Sequence, residues 1–296
     1  DEVIVPEITW IATAEPVLYI GAKPIFVDVL PDSWCIDPAK IEAAITPKTK
    51  AIVVVHLYGN VCDMDAIMKI AEKYNVKVLE DAAEGIGSSY HGKCVGAIGD
   101  AGVFSFHGTK TLSTGEGGMV TTNSIEVYEK IKVLNDHGRN SKDPENKMFW
   151  MRNYGYKYKM SNLQAAMGLA QTERLPELIE KKREIFSWYR ELLKDIQCDL
   201  NPEPLNTTNG YWLPTLVFDA SLNVNRNDIF QQHKAMNIDS RPFFYFLSSL
   251  PMFESCLHNT TAYAIYERGL NLPSYHDLTH AEVERVVYGL KKALHG

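Results

Sequence analysis

The feature that most constrains this chain is an alternation in its first half. Short apolar runs suited to β-strands recur there, with helical segments between them. The strand candidates are Val3–Val5, Pro24–Val29, Ala51–Leu57, Lys77–Leu79, Gly102–Phe106 and Gly118–Thr121. The spacing predicts helices over Pro38–Ile45, Met64–Tyr74 and Ile125–Leu134, each preceded by a capping residue: Asp37, Asp63 or Ser124. Within the second of these, Met64, Ile67, Met68 and Ala71 fall at helical spacing. Strands this short and apolar are buried on both faces. The alternation therefore predicts an α/β fold with a mostly parallel sheet flanked by helices. Ligands of such sheets bind beyond the carboxyl ends of the strands.

The second half reads differently. Asn135–Tyr158 is polar and aromatic, carries Gly138, Pro144 and Gly155, and has the character of a long functional or partner-contacting loop. Asn162–Ile196 is strongly helical, either as two helices or as one kinked at Pro176. Tyr211–Phe218 reads as a strand, and Asp228–Met236, Thr261–Arg268 and Ala281–Leu294 as helices. The expected organisation is a large domain over 1–165 and a smaller C-terminal α/β domain over 166–296, including the connecting helices. A chain of 296 residues that is 45% hydrophobic can bury both cores.

Charge and cysteines remove other classes. Thirty basic against 37 acidic residues give a net −7, which excludes a generally basic, phosphate-coating nucleic-acid binder but not a local basic site. No apolar run approaches the ~18 residues of a membrane helix. The five cysteines (Cys35, Cys62, Cys94, Cys198, Cys256) are scattered and form no C-x-x-C. A disulfide framework or a metal site is therefore not expected, and the reading favours a reducing cytoplasm. The chain opens at Asp1 directly into a strand, with no Met and no signal peptide, and reads as a fragment or a processed product.

The chemistry concentrates at strand ends. Leu79-Glu80-Asp81-Ala82-Ala83-Glu84 runs a strand into acids. Phe104-Ser105-Phe106-His107-Gly108-Thr109-Lys110 runs another into a lysine loop, and Gly115-Glu116-Gly117-Gly118 leads into the next strand. Alone, each piece is ordinary: a helix-capping acid, a surface lysine, a hairpin glycine. Together they give carboxylate, serine, lysine and glycine cluster on successive strand ends. That set suits pyridoxal phosphate (PLP), which needs a lysine for its Schiff base, a carboxylate for its pyridine nitrogen, and hydroxyls and backbone N–H groups for its phosphate. The competing motif G-x-x-x-x-G-K-[ST] is absent, because Thr109 precedes the lysine and Phe104 stands where its first glycine would fall.

The string GVFSFHGTKTLSTGEGGMVT, Gly102–Thr121, resembles the lysine segment of the DegT/StrS-type sugar aminotransferases, which have the type I, aspartate-aminotransferase-like PLP fold. The resemblance covers most of the chain, in order: DEVIVPEITWIATAEPVLYIGAKPIFVDV, AIVVVHLYGN, VLEDAAEGIGSSYHGKCVGAIGD, GYKYKMSNLQAAMGLAQ and SRPFFYFLSSLPMF. HGTKTLSTGEGG and RPFFY look most like the perosamine-synthase branch. The resemblance implies transfer of an amino group from L-glutamate to a 4-keto-6-deoxy sugar nucleotide for surface-glycan or O-antigen biosynthesis. GDP-4-keto-6-deoxymannose is the favoured substrate, with UDP- and dTDP-sugars as others. It also implies a homodimer with shared active sites.

Residue by residue, the resemblance makes Lys110 the Schiff-base lysine and Asp81 the pyridine-nitrogen partner. Ser105 becomes a phosphate-binding hydroxyl and Trp10 an aromatic stacked on the cofactor ring. Glu84 either lies near the cofactor's phenolic oxygen or faces solvent. His107 either touches substrate or caps its loop. Lys157 either reaches the phosphate of the neighbouring subunit's cofactor or points to solvent. Arg241 either meets the nucleotide diphosphate or makes a structural pair.

Two departures accompany the resemblance, and one further point bears on the chemistry. The family's N-terminal stretch, whose Ser/Thr-Gly-Thr turn grips the PLP phosphate at a helix start, has no counterpart here. A truncated non-catalytic homologue or regulatory partner is thus the alternative reading. His276 stands where relatives often have Gly or Pro. The dehydratase branch replaces the Schiff-base lysine with His, so Lys110 favours aminotransfer. A different PLP reaction on an amino acid would need a small-domain arginine for the carboxylate, for which Arg241 is the candidate.

Overall fold

The computed structural model describes residues 1–145 and 147–295. Its centre is a six-stranded sheet, in the spatial order Lys23–Val27, Glu2–Pro6, Thr49–Val55, Lys77–Asp81, Ala101–Ser105, Gly118–Thr121. All neighbours run parallel except the last pair, an antiparallel hairpin. The α/β expectation holds, because the strands bury alternate residues on opposite faces. Ile4, Ile52 and Val54 pack with Ile41, Met64 and Ile67 of helices Pro38–Ala44 and Met64–Tyr74. Val3, Val5 and Val53 face the other way, onto Ala14, Val17 and Leu247. Asp37, Asp63 and Ser124 cap their helices as read, each accepting a backbone N–H.

The second half supplies a four-stranded antiparallel sheet, ordered Arg241–Pro242, Gly269–Asn271, Thr215–Phe218, Cys198–Leu200. Helices Leu175–Leu192, Arg226–Ala235 and His280–His295 cover it through Ile185, Tyr189, Ile229, Val283 and Leu290. The long helical stretch is two helices, Asn162–Glu173 and Leu175–Leu192. They divide at Arg174, just ahead of Pro176, whose ring cannot continue the backbone ladder. One reading needs correction. The strand expected over Tyr211–Phe218 begins only at Thr215. Tyr211 has a left-handed backbone, φ +46°, and Pro214 has no N–H to give a ladder.

The central sheet ends on a buried carboxylate that orders the neighbouring turns. Glu80 accepts N–H groups from Gly96 (2.7 Å), Ile98 (2.6 Å) and Gly99 (2.6 Å), and meets His56 Nε2 at 3.1 Å. Burial works against its charge, but these bonds outweigh it and hold the carboxyl below its usual range. A lowered carboxyl stabilises the fold above its unfolded pKa, and that stability is lost as pH falls through the folded value. Glu80→Ala orphans one buried and two part-buried N–H groups and leaves His56 without its buried partner, and is expected to cost about 3–5 kcal/mol. Urea unfolding at neutral pH measures it, and a loss below about 1 kcal/mol would contradict this role.

Candidate active site

The carboxyl ends of the parallel strands meet loops of the second half, and most of the predicted residues gather there. Asp81 is the last residue of its strand. No helix follows it, so it is not a helix cap; the chain turns instead. One carboxylate oxygen accepts the Thr13 hydroxyl at 2.7 Å, and the other accepts the Ala83 N–H at 3.1 Å. Thr13 closes a short turn by donating its N–H to the Trp10 carbonyl at 3.1 Å. That turn ties Trp10 to Asp81. Trp10 is 59% exposed, with its ring tilted and 5.9 Å from the Phe244 ring. It is not a core side chain.

The lysine loop is braced at both ends. The Phe106 N–H donates to Gly117 (2.8 Å), and the Thr114 N–H donates to Phe106 (2.9 Å). A Cβ on Gly117 would lie 2.6 Å from Thr114 Oγ1, so only glycine closes this hairpin. The Ser105 hydroxyl accepts the His107 N–H at 3.3 Å. His107 Nδ1 accepts the Thr109 N–H at 3.3 Å, and the Lys110 N–H donates to the His107 carbonyl at 2.9 Å. His107 therefore caps the loop, with half of its ring exposed.

Inside this loop Lys110 is largely buried. Its Nζ lies 3.5 Å from Glu84 Oε1 and 3.8 Å from the centroid of the Trp212 ring. Glu84 is 4% exposed, which excludes the solvent-facing alternative. Its other oxygen accepts the Tyr58 N–H at 2.7 Å. Burial pushes the Glu84 carboxyl up to about 7, and the charge of Asp81 adds to the rise; Lys110 and the Tyr58 N–H oppose it. Tyr58 can donate in this direction because its backbone is left-handed, φ +56°. Its ring stacks on Trp212 (6.1 Å) and Phe244 (5.0 Å), and its hydroxyl accepts the Phe244 N–H at 3.0 Å.

Two predicted residues lie apart from this cluster. Lys157 is exposed and bridges Asp136 through its backbone. Arg241 is exposed and pairs with Asp239 at 3.0 Å. Thr13, Tyr58 and Trp212 were not singled out from the sequence. Tyr58 carried a faint signal, following a strand in the string HLYGN. Thr13 and Trp212 carried none, since their partners are distant in the chain. Among the described residues, no group of three or more His, Cys, Asp or Glu is placed to hold a metal ion.

The donor set fits PLP. It offers a shielded primary amine, a strand-end carboxylate with oxygens already oriented, an adjacent serine hydroxyl and an open aromatic face. Comparison with known proteins agrees. Residues 1–291 match the DegT/DnrJ/EryC1/StrS aminotransferase family, and the chain belongs to it. It is a sugar aminotransferase, and its cofactor is pyridoxal phosphate.

Among its relatives, the GDP-perosamine synthase of Caulobacter vibrioides is 40% identical over 298 residues, 99% of this chain and 79% of that protein. The GDP-perosamine synthase of Escherichia coli O157:H7 is 39% identical over 290 residues, 97% of this chain and 77% of that protein. A Streptococcus pneumoniae protein described as a sugar aminotransferase, solved in its PMP form, superposes with a TM-score of 0.93 at 27% identity. That match covers 99% of this chain and 82% of the other. The type I fold read from the sequence is thereby established.

Glu84 makes a stability test. Its folded carboxyl, at about 7, lies above the unfolded value of 4.5, so the folded chain binds the extra proton between them. Stability therefore falls as pH rises from 4.5 to 7, by about 3 kcal/mol. Glu84→Gln has no proton to lose and is expected to remove this slope. Urea unfolding of the cofactor-free chain at both ends of that range measures it; an unchanged slope in the variant would contradict the assignment.

Proposed function

We propose that the chain transfers the amino group of L-glutamate to the keto carbon of a 4-keto-6-deoxy sugar nucleotide, with GDP-4-keto-6-deoxymannose as the favoured substrate. The observation that carries this reading is the Lys110 amine, held 3.5 Å from Glu84 at the sheet edge that Asp81 shares. The perosamine-synthase relatives support the choice of sugar nucleotide.

When bound, PLP supplies an electron sink for the carbon that carries the migrating amine. Lys110 binds the cofactor and moves a proton between the cofactor carbon and the sugar carbon. Asp81, oriented by Thr13 and Ala83, keeps a proton on the ring nitrogen. Trp10 offers its exposed face to the ring, and Ser105 offers its hydroxyl to the phosphate. Glu84, whose carboxyl is raised to about 7 by burial, would meet the phenolic oxygen and exchange protons with Lys110. His107 caps the loop and, half-exposed there, would also be able to meet the substrate. Arg241 pairs with Asp239 only at the surface and is free to turn to the diphosphate.

A homodimer is part of the proposal. Phe149, Trp150, Tyr154, Tyr156 and Tyr158 are exposed together, with Leu163 and Leu169 on the next helix. This apolar surface supports a self-interface, and Lys157 within it would serve the neighbouring subunit's phosphate.

Incubation with GDP-4-keto-6-deoxymannose and glutamate, in parallel with UDP- and dTDP-4-keto sugars, tests the reading. The GDP substrate is expected to give an amino sugar, seen by mass spectrometry. Lys110→Ala should lower kcat by at least about a thousand-fold, and Asp81→Asn by about a hundred-fold. Full turnover by the Lys110 variant, or amine transfer only among amino acids, would overturn it.

A further inference from the structure

Amino-group transfer through one lysine poses a physical requirement. While the amino group travels between donor and acceptor, the lysine amine is released from the cofactor and carries a proton for part of the cycle, in a largely buried site. A loose cation there would collapse onto the nearest carboxylate or wander out of reach. Two neighbours of Lys110 answer that requirement. The indole face of Trp212 lies 3.8 Å from Nζ, well inside the range of a cation–π contact. Glu84 lies 3.5 Å from the same nitrogen, close enough to attract but longer than a locked ion-pair hydrogen bond.

The indole is itself fixed. Trp212 is buried, and its Nε1–H donates at 2.8 Å to the carbonyl of Thr109, the residue before the lysine. One hydrogen bond thus ties the ring to the lysine loop. Behind it stands a second, unexplained cation. Lys182, on the helix Leu175–Leu192, is 8% exposed, and burial alone depresses its pKa, to about 8. Among the described residues, no carboxylate compensates it. Its Nζ donates to the Trp212 carbonyl at 3.2 Å, to Ser274 Oγ at 3.0 Å and to the Ser274 carbonyl. A buried ammonium is a costly way to join two backbone segments, and the position of the Trp212 indole gives that cost a use.

We propose that the indole face of Trp212 and the carboxylate of Glu84 form a resting site for the free amine of Lys110, and that Lys182 is the positioning residue that holds Trp212 in it. The proposal rests on the reading of Lys110 as the cofactor lysine. The charged groups around the site are Glu84, Asp81, Lys110 itself and, through the Trp212 backbone, Lys182.

The reactivity of the amine tests this without turnover. The full chain is labelled sparsely with formaldehyde and cyanoborohydride across a pH series, both cofactor-free and loaded with pyridoxamine phosphate. Peptide mass spectrometry then gives the ratio of Lys110 to exposed Lys48. Losing the indole frees the neutral amine, so Trp212→Leu is expected to raise the ratio about five-fold near neutral pH. Site-specific fluorination of the Trp212 ring weakens the cation–π contact at constant shape, and should raise the ratio step by step with each fluorine. Lys182→Met should move it in the same direction. An unchanged ratio and pH profile in the fluorinated series overturns the resting site, even if the leucine variant fails to fold. A Lys182→Met protein that melts earlier but labels normally overturns the positioning role. The absence of any aminotransfer by the wild type would count instead against the functional reading.

Discussion

The active-site edge depends on one backbone hydrogen bond. The Tyr58 N–H reaches inward to Glu84 at 2.7 Å, and it does so only because Tyr58 adopts a left-handed conformation that an aromatic residue seldom takes. Once that bond is made, a carboxylate can stay inside the protein, and a lysine can be held against it. The strain is offset by what the Tyr58 side chain does at the same time. Its ring lies among Trp212, Phe243 and Phe244, and its hydroxyl accepts the Phe244 N–H and the Asn271 side chain. One residue thus orients the acid, supports the indole over Lys110 and anchors the second sheet.

The site consequently lies at the junction of the two halves. Ile8, Val29, Trp34 and Tyr58 share a buried cluster with Trp212, Val217, Phe243 and Ala262. Two buried carboxylates at strand ends reinforce the contact. Asp28 accepts the N–H groups of Thr261 (3.1 Å) and Ala262 (2.8 Å) in the first turn of the helix Thr260–Arg268, where the helix dipole favours a negative charge. Glu7 accepts the Ser248 N–H at 2.9 Å and an Asn259 side-chain N–H. The strand ends that form the site also hold the second half of the chain, so the site and that contact are held by the same elements.

Much of this was legible in the chain itself. Period-two burial and capped helices give the sheet, and strand-end placement marks Asp81 and Lys110 as candidates before any comparison. What could not be read shares a physical reason. The burial of Glu84 depends on the φ of Tyr58, which no residue pattern announces. The indole of Trp212 comes from a segment that breaks strand geometry at Tyr211 and Pro214, so a simple apolar run conceals a turned side chain. Strands of two or three residues, such as Arg241–Pro242 and Gly269–Asn271, are too short for periodicity and exist only through their partners. His107 had two sequence readings; its ring nitrogen holds the Thr109 N–H, which is a capping contact.

The central claim is that the amine beside Glu84 is the one that holds the cofactor. Borohydride reduction of the purified chain after addition of pyridoxal phosphate, followed by peptide mass mapping, tests it most directly. The account predicts a pyridoxyl group on the peptide carrying Lys110, lost in Lys110→Ala. Modification confined to other lysines, with the Lys110 peptide untouched at saturating cofactor, would contradict it.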